Sequence, residues 1–311
     1  MLKKFIPHLT TWLFFCQGYS GFFADASGLY WRAHENGLAY AVRSSSTHKL
    51  APNSKVENPD FDWDFGFRIG LGYRFSNDYD LLLQFTSLQT HASRDTFAHH
   101  GEVLFPSWQK PNESGPHFAK HVHTHWRLHL GLVDLLLSKR CEFSDYFALI
   151  PQAGIRAGSI RQKYYLDYFG GSFTHGEEII HMKNKFFGVG PNGGLAVEWG
   201  LGKGFSLFGK SLFSLLFGHF FVHQNDYADG GKERPLGVRN YFSATGPVMD
   251  FTAGLSWRQN RIWLALAWDE LLCFSQNQLL RFTSPEAEGI FFSNQGDLFV
   301  SGVEFAMRFD F

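Results

Sequence analysis

After its N-terminal segment the 311-residue chain has no run of about eighteen apolar residues, the length a helix needs to cross a bilayer, so a helical membrane protein is excluded. Charge is scarce as well. Asp, Glu, Lys and Arg make up 18%, below the usual quarter, and they sum to a net charge of -1 with no basic run, which leaves no electrostatic footprint for nucleic acid. No Pro/Gly/Ser-rich linker divides the chain, so it reads as one domain. The glycines form no phosphate-binding loop, and neither Asp62 with Asp64 nor any Ser/His/Asp set comes with a catalytic motif. The expectation is a non-enzyme with no cofactor, and a barrel protease or acyltransferase is the minor alternative.

What the chain has in quantity is aromatic side chains, 18% of residues and 35 Phe. They are ordered. From Phe61 to Phe75 every odd position is apolar or aromatic and every even one is Asp, Gly or Arg. A strand points successive side chains to opposite faces, so this is one wholly apolar face and one polar one. Soluble strands are usually about five or six residues long, whereas a lipid-spanning strand needs roughly nine to eleven with its apolar face on hydrocarbon.

Nine further strands are expected: Ser27–Arg43, Asp80–His91, His121–Leu137, Asp145–Tyr165, Lys183–Trp199, Phe205–His223, Pro247–Arg258, Arg261–Phe274 and Asp297–Phe311. The connections between them alternate long and short, as the outer loops and periplasmic turns of outer-membrane barrels do. Unpaired strand edges in hydrocarbon cost several kcal/mol per unsatisfied group, so the sheet has to close. The expected fold is an all-β, antiparallel up-and-down transmembrane barrel of about ten strands, with twelve the upper bound, reaching past the membrane on the loop side. Trp31, Trp63, Tyr73, Trp126, Trp199, Trp257 and Trp268 are expected in interfacial belts.

Residues 1–26 read as a secretory signal: Lys3 and Lys4, an apolar segment, then the small-residue pattern Ala24-Asp25-Ala26. Cleavage is expected after Ala26, with Ser20 and Ala24 as other cut points and an amphipathic N-terminal arm as the competing reading. Residues 27–311 are expected to form the barrel, located in the outer membrane. At the other end Val303, Phe305, Met307, Phe309 and Phe311 alternate up to a terminal Phe, a pattern like the signal read by the barrel-assembly machinery. The expected partners are therefore outer-membrane lipid and that machinery. Association between copies is left open.

Inward-facing residues on this reading are Arg32, Asp62, Asp64, Arg68, Arg74, Arg127, Arg156, Glu198, Lys210, Asp250, Arg258 and Glu304, a mixed-sign lining without a single-sign filter. Inward glycines, including Gly66, Gly72, Gly131, Gly158, Gly188 and Gly190, either leave room for water or relieve strand curvature. His121, His123 and His125 share one face, and a metal site there is weighed against a solvated row, the preferred reading. Cys141 and Cys273 fall on opposite membrane sides, too far apart to bridge, although each could pair with another chain. The expected function is a porin-like barrel for passive diffusion of small hydrophilic solutes. The alternative is a closed structural or adhesive barrel whose outer loops bind a partner.

Four stretches, GLYWRAHENGLAYAV, FDWDFGFRIGLGYRF, HTHWRLHLGLVDLLL and the closing VEFAMRFDF, resemble the pore-forming, major-outer-membrane-protein-like barrels of Legionella and environmental Chlamydiae. The resemblance implies an outer-membrane channel or structural surface protein and transfers no catalytic residue. Where that family forms cysteine-linked envelope networks it uses more cysteines than the two left after a signal is removed.

Overall fold

Ten long strands carry the period-2 pattern, and each pairs antiparallel with its chain neighbours. They are β1 (Gly21–Glu35), β2 (Trp63–Arg74), β3 (Tyr79–Phe97), β4 (His121–Lys139), β5 (Phe147–Phe169), β6 (Glu177–Gly202), β7 (Phe205–Ala228), β8 (Glu233–Gln259), β9 (Ile262–Asn277) and β10 (Gly296–Asp310). The computed structural model describes residues 20–108, 117–173, 176–228, 233–282 and 290–311. The sheet closes because β10 also pairs with β1, with Gly28 opposite Phe305 and Tyr30 opposite Val303. No barrel edge is left for lipid to meet.

The apolar rows expected on lipid are on the outside of the closed cylinder. Phe65, Phe67, Ile69 and Leu71 of β2 are exposed, as are Val303, Phe305, Met307, Phe309 and Phe311 at the C-terminus. Tyr30, Trp63 and Phe65 stack on one another at the upper edge of this belt, ring centroids 5.2 and 4.8 Å apart. Tight turns close the other end: Asp78 and Asn260 adopt positive φ (63° and 52°), and Gly202-Lys203-Gly204 is left-handed throughout.

The strands are longer than the sequence pattern suggested. β8 runs 27 residues and β6 26, so segments read as loops, 225–246 and most of 168–182, are largely strand. At about 3.3 Å per residue such strands rise far past a bilayer. Above the lipid the outer face meets water, so polar residues continue the strands instead of ending them.

The same change of solvent exchanges the faces. On β4 the even positions point inward throughout, yet Val122, Trp126, Leu128, Leu130 and Leu132 are buried inside while Val133, Leu135 and Leu137 are exposed outside. Near Gly131, where the wall passes from water to lipid, the outer face turns from His and Arg to apolar, while the inner face admits Asp134 between Leu132 and Leu136. β6 does the same, with Ile180, Met182 and Phe186 buried inside, then Phe187, Val189 and Leu195 outside. The outer half of the barrel is therefore filled by a packed apolar core.

Candidate functional site

In the membrane half the lumen is crossed by two charged clusters. Arg68 on β2 reaches Asp269 on β9 and Glu304 on β10, both at 2.9 Å, and donates to Thr86 Oγ1 at 3.1 Å. Thr252 donates to Asp269 at 2.6 Å. Arg156 on β5 holds Asp134 on β4 at 2.6 Å and Asp250 on β8 at 2.5 Å, and Asn192 donates to Asp134 at 2.9 Å. Both guanidiniums span strands that are not neighbours. Lys210 points into the same space, toward Asp134, Asp250 and Glu304. Nearer the periplasmic rim Arg74 pairs with Asp80 at 2.8 Å, Glu198 with Arg140 at 2.6 Å and Arg258 with Asp310 at 3.6 Å.

Nine of the twelve residues expected in the lining thus face inward: Arg68, Arg74, Arg156, Glu198, Lys210, Asp250, Arg258 and Glu304 fully, and Asp64 by backbone parity only. Three do not. Arg32 is exposed on the outer face of β1, between buried Trp31 and Ala33, and its Nε donates to Phe61 O at 2.9 Å. Arg127 is outside because β4 has the parity opposite to the expected one. Asp62 is outside because of a bulge: Phe61 pairs with Ala92 and Gly66 with Leu88, five residues of one strand against four of the next. The bulge turns Phe61 in onto Trp126 and sets the Asp62 and Asp64 carboxylates 3.5 and 3.4 Å from the outward His91 ring. Trp31 and Trp126, expected in aromatic belts, are core residues for the same reasons.

The inward glycines leave little room. A Cβ at Gly72 would strike the Phe23 ring, one at Gly158 would meet Leu216, and one at Gly190 would enter the Leu215 carbonyl on β7. Close approach of backbone and neighbouring side chains fits the curvature reading, not a water-filled one. Gly131 faces outward.

Above the core the outer mouth is sealed by loops. Leu38 and Tyr40 descend into it and are fully buried, as are Leu279 and Leu280. Four side chains grip the carbonyls of 37–40: Tyr164 Oη donates to Leu38 O at 2.6 Å, Tyr168 Oη to Tyr40 O at 2.7 Å, Trp108 Nε1 to Ala39 O at 3.0 Å, and Arg281 to Gly37 O at 3.0 Å. Asn294 also donates to Gly37 O, and the Arg281 guanidinium lies 4.5 Å from the Trp108 ring centroid. Burial pushes the Tyr40 phenol above its usual range and lowers the Arg281 guanidinium. Over the plug, Ala41–Ser44, Lys55–Glu57 and Val103–Pro106 form a small sheet, tied by Arg43 to Glu57 and Glu102, each at 2.8 Å. The sequence gives no sign of a plug beyond the apolar spacing of Leu38, Tyr40 and Trp108.

The three histidines lie on the outer wall. His121 and His123 both reach Asp95 Oδ1 at 3.0 Å, and Arg127 Nε donates to His125. Among the described residues no group of His, Cys, Asp or Glu has the geometry to hold a metal ion. Both described cysteines are free thiols; Cys273 is fully buried inside the barrel, so it cannot pair with another chain, and Cys141 lies in a periplasmic connection.

The first strand begins at Gly21; Gly21 and Phe22 are in register with β2, and Phe23 to Ala26 are paired on both sides, Ala24 opposite Phe309 and Leu71. Cutting after Ala26 would strip six residues from β1, four of them in register with β10 at the closing seam, and residues 1–19 lie outside the described residues.

Residues 18–311 match the model of the family described as the Legionella pneumophila major outer membrane protein precursor. No curated relative matches the chain. Among solved structures it is similar to the outer membrane protease OmpT of Escherichia coli, 12% identical with a TM-score of 0.46, covering 94% of this chain and 97% of that one. The attachment invasion locus protein Ail of Yersinia pestis is 9% identical at a TM-score of 0.28, covering 93% and 99%. OprG of Pseudomonas aeruginosa is 9% identical at 0.28, covering 93% and 98%.

Proposed function

Because the chain belongs to the Legionella pneumophila major outer membrane protein family and is an outer-membrane barrel, we propose that it works as a closed structural surface barrel, a lipid-anchored turret whose outer loops contact a partner. The observation that carries the reading is the filled interior. Salt bridges cross the membrane half, an apolar core fills the outer half, and the segment 36–41 caps it. The outer loops also expose Leu50, Val56, Phe291 and Phe292, apolar surface with no lipid beside it, which suits contact with another macromolecule.

Passive diffusion of small hydrophilic solutes is the second reading, favoured by the charged membrane half of the lumen. It requires the 36–41 segment and the core beneath it to withdraw. Planar-bilayer recording separates the two. The closed barrel gives no current steps, either as the native chain or after Arg281→Ala with Asn294→Ala loosens the grip on Gly37. Steps in the loosened variant alone would support a plug-gated pore, and steps in the native protein would overturn the closed reading.

A further inference from the structure

The outer wall of β4, β5 and β6 carries an uncompensated basic field. Strand register sets Arg127 opposite Lys163 and Lys163 opposite Lys183; two residues nearer the membrane it sets His129 opposite Arg161 and Arg161 opposite Lys185. Like charges directly opposite on neighbouring strands destabilise a sheet. Yet among the described residues Arg161, Lys163, Lys183 and Lys185 form no ion pair, and the nearest carboxylate of the same face on β5, Asp167, is four residues beyond Lys163, about 13 Å along the strand. Four cations on two adjacent strands therefore await a counter-charge, with Arg127 and His129 beside them on β4.

Their height on the wall says where it comes from. Directly below lie Ser87, Gly131, Ser159 and Phe187, and then the apolar row Phe85, Val133, Ala157 and Val189. The basic rows sit at the level where hydrocarbon gives way to headgroups. The wall also has a groove of about 280 Å³ at this boundary, its lower side Phe85, Val133, Ala157 and Phe187, its upper side Gln89, His129 and Arg161. It exists because position 131 has no side chain: a Cβ there would meet only the Phe85 ring, at 4.0 Å. The arrangement is one-sided. On β1 and β2 the same boundary is an aromatic girdle of Tyr30, Trp63 and Phe65, so general attraction to headgroups does not account for it.

We propose that this face is a binding site for a phosphate-bearing lipid of the outer leaflet, with an acyl chain in the groove over Gly131 and the phosphate among Arg161, Lys163, Lys183 and Lys185. Guanidinium and ammonium donors on adjacent strands suit a multiply charged phosphate, Arg by paired hydrogen bonds and Lys as a point charge. Filling the site also relieves the cross-strand repulsion.

The test uses the full folded barrel in neutral detergent, with native mass spectrometry to read binding. The probes are a bisphosphorylated glucosamine lipid, the same lipid stripped of phosphate, and inorganic phosphate as competitor. The phosphorylated lipid is expected to bind and the stripped one to be lost. Arg161→Gln with Lys185→Gln should weaken binding about thirtyfold, the effect of two basic groups at an anionic surface. Gly131→Leu keeps every cation and fills the groove, and should weaken binding at least about tenfold. All three side chains face outward, and heat-dependent gel mobility verifies that the variants fold. Equal binding of the two lipids, or binding unmoved by both variants, would overturn the site. Displacement by inorganic phosphate at equal concentration would overturn the lipid as occupant.

Discussion

Replacing Arg156 with Met probes the interior where the competing readings differ most. In the native barrel its guanidinium is 2% exposed and is held by Asp134 at 2.6 Å and Asp250 at 2.5 Å, themselves nearly buried. Without it two nearly buried carboxylates are left with Lys210 as the one cation directed at both, and one of the two negative charges has no counter-charge. Breaking a buried ion pair from one side costs about 3–5 kcal/mol, whereas exposed pairs are worth about 0–1 kcal/mol. Arg156→Met should therefore lose about 4 kcal/mol in reversible urea unfolding from lipid vesicles. Arg156→Met with Asp134→Asn should recover most of it, because Lys210 then balances the one carboxylate left, Asp250. A loss below about 1 kcal/mol in the single variant would mean that water reaches the cluster, and the argument for a closed lumen would fail at its middle layer.

Three other outcomes follow from the geometry. Phe85→Arg puts a charge on the lipid face and should cost about 2–4 kcal/mol, whereas Gln89→Arg, four residues higher on the same face, should cost about 0–1; vesicle unfolding measures both, and equal costs would misplace the membrane boundary. We propose that a leader is cut at or before Ser20, which keeps Gly21–Ala26 in the seam; N-terminal sequencing of protein from outer membranes should start no later than Gly21, and a start at Ser27 would contradict the seam. Glu102 is held below the usual carboxylate range by the hydrogen bond from Arg43, so its tie between loops is complete above the ordinary Glu range and lost as pH falls through the lowered folded value. Amide exchange of 97–103, corrected for intrinsic rates, should quicken on acidification, and Glu102→Gln should remove that dependence.

The barrel itself was legible because lipid and water act on alternate residues of one strand. Phe61–Phe75 shows the rule without interruption, and strand number and loop alternation came from the same signal. Reading the interior was harder. Choosing the inward face by polarity works where the outside is lipid and fails where it is water, which is why Arg127, expected inside, lies outside. The information was present in HVHTHWRLHLGLVDLLL, where the apolar residues occupy even positions alone before Gly131 and odd positions as well after it. A barrel with a wet interior has no reason to make that change. Arg32 followed the same logic, while Asp62 and Phe61 depended on a bulge that alternation cannot reveal. The plug was hidden because its grip is on backbone carbonyls, which carry no residue identity.

The measurement closest to the central claim is thiol labelling along β4 in intact outer membranes, in a Cys141→Ser background. Leu130→Cys and Leu128→Cys point into the packed core, and His129→Cys and Arg127→Cys to the outside at headgroup height, above the hydrocarbon. A small, membrane-impermeant maleimide should label positions 127 and 129 and leave 128 and 130 unmodified until the barrel is unfolded. Rapid labelling of 128 and 130 in the folded protein would put water where the account puts side chains.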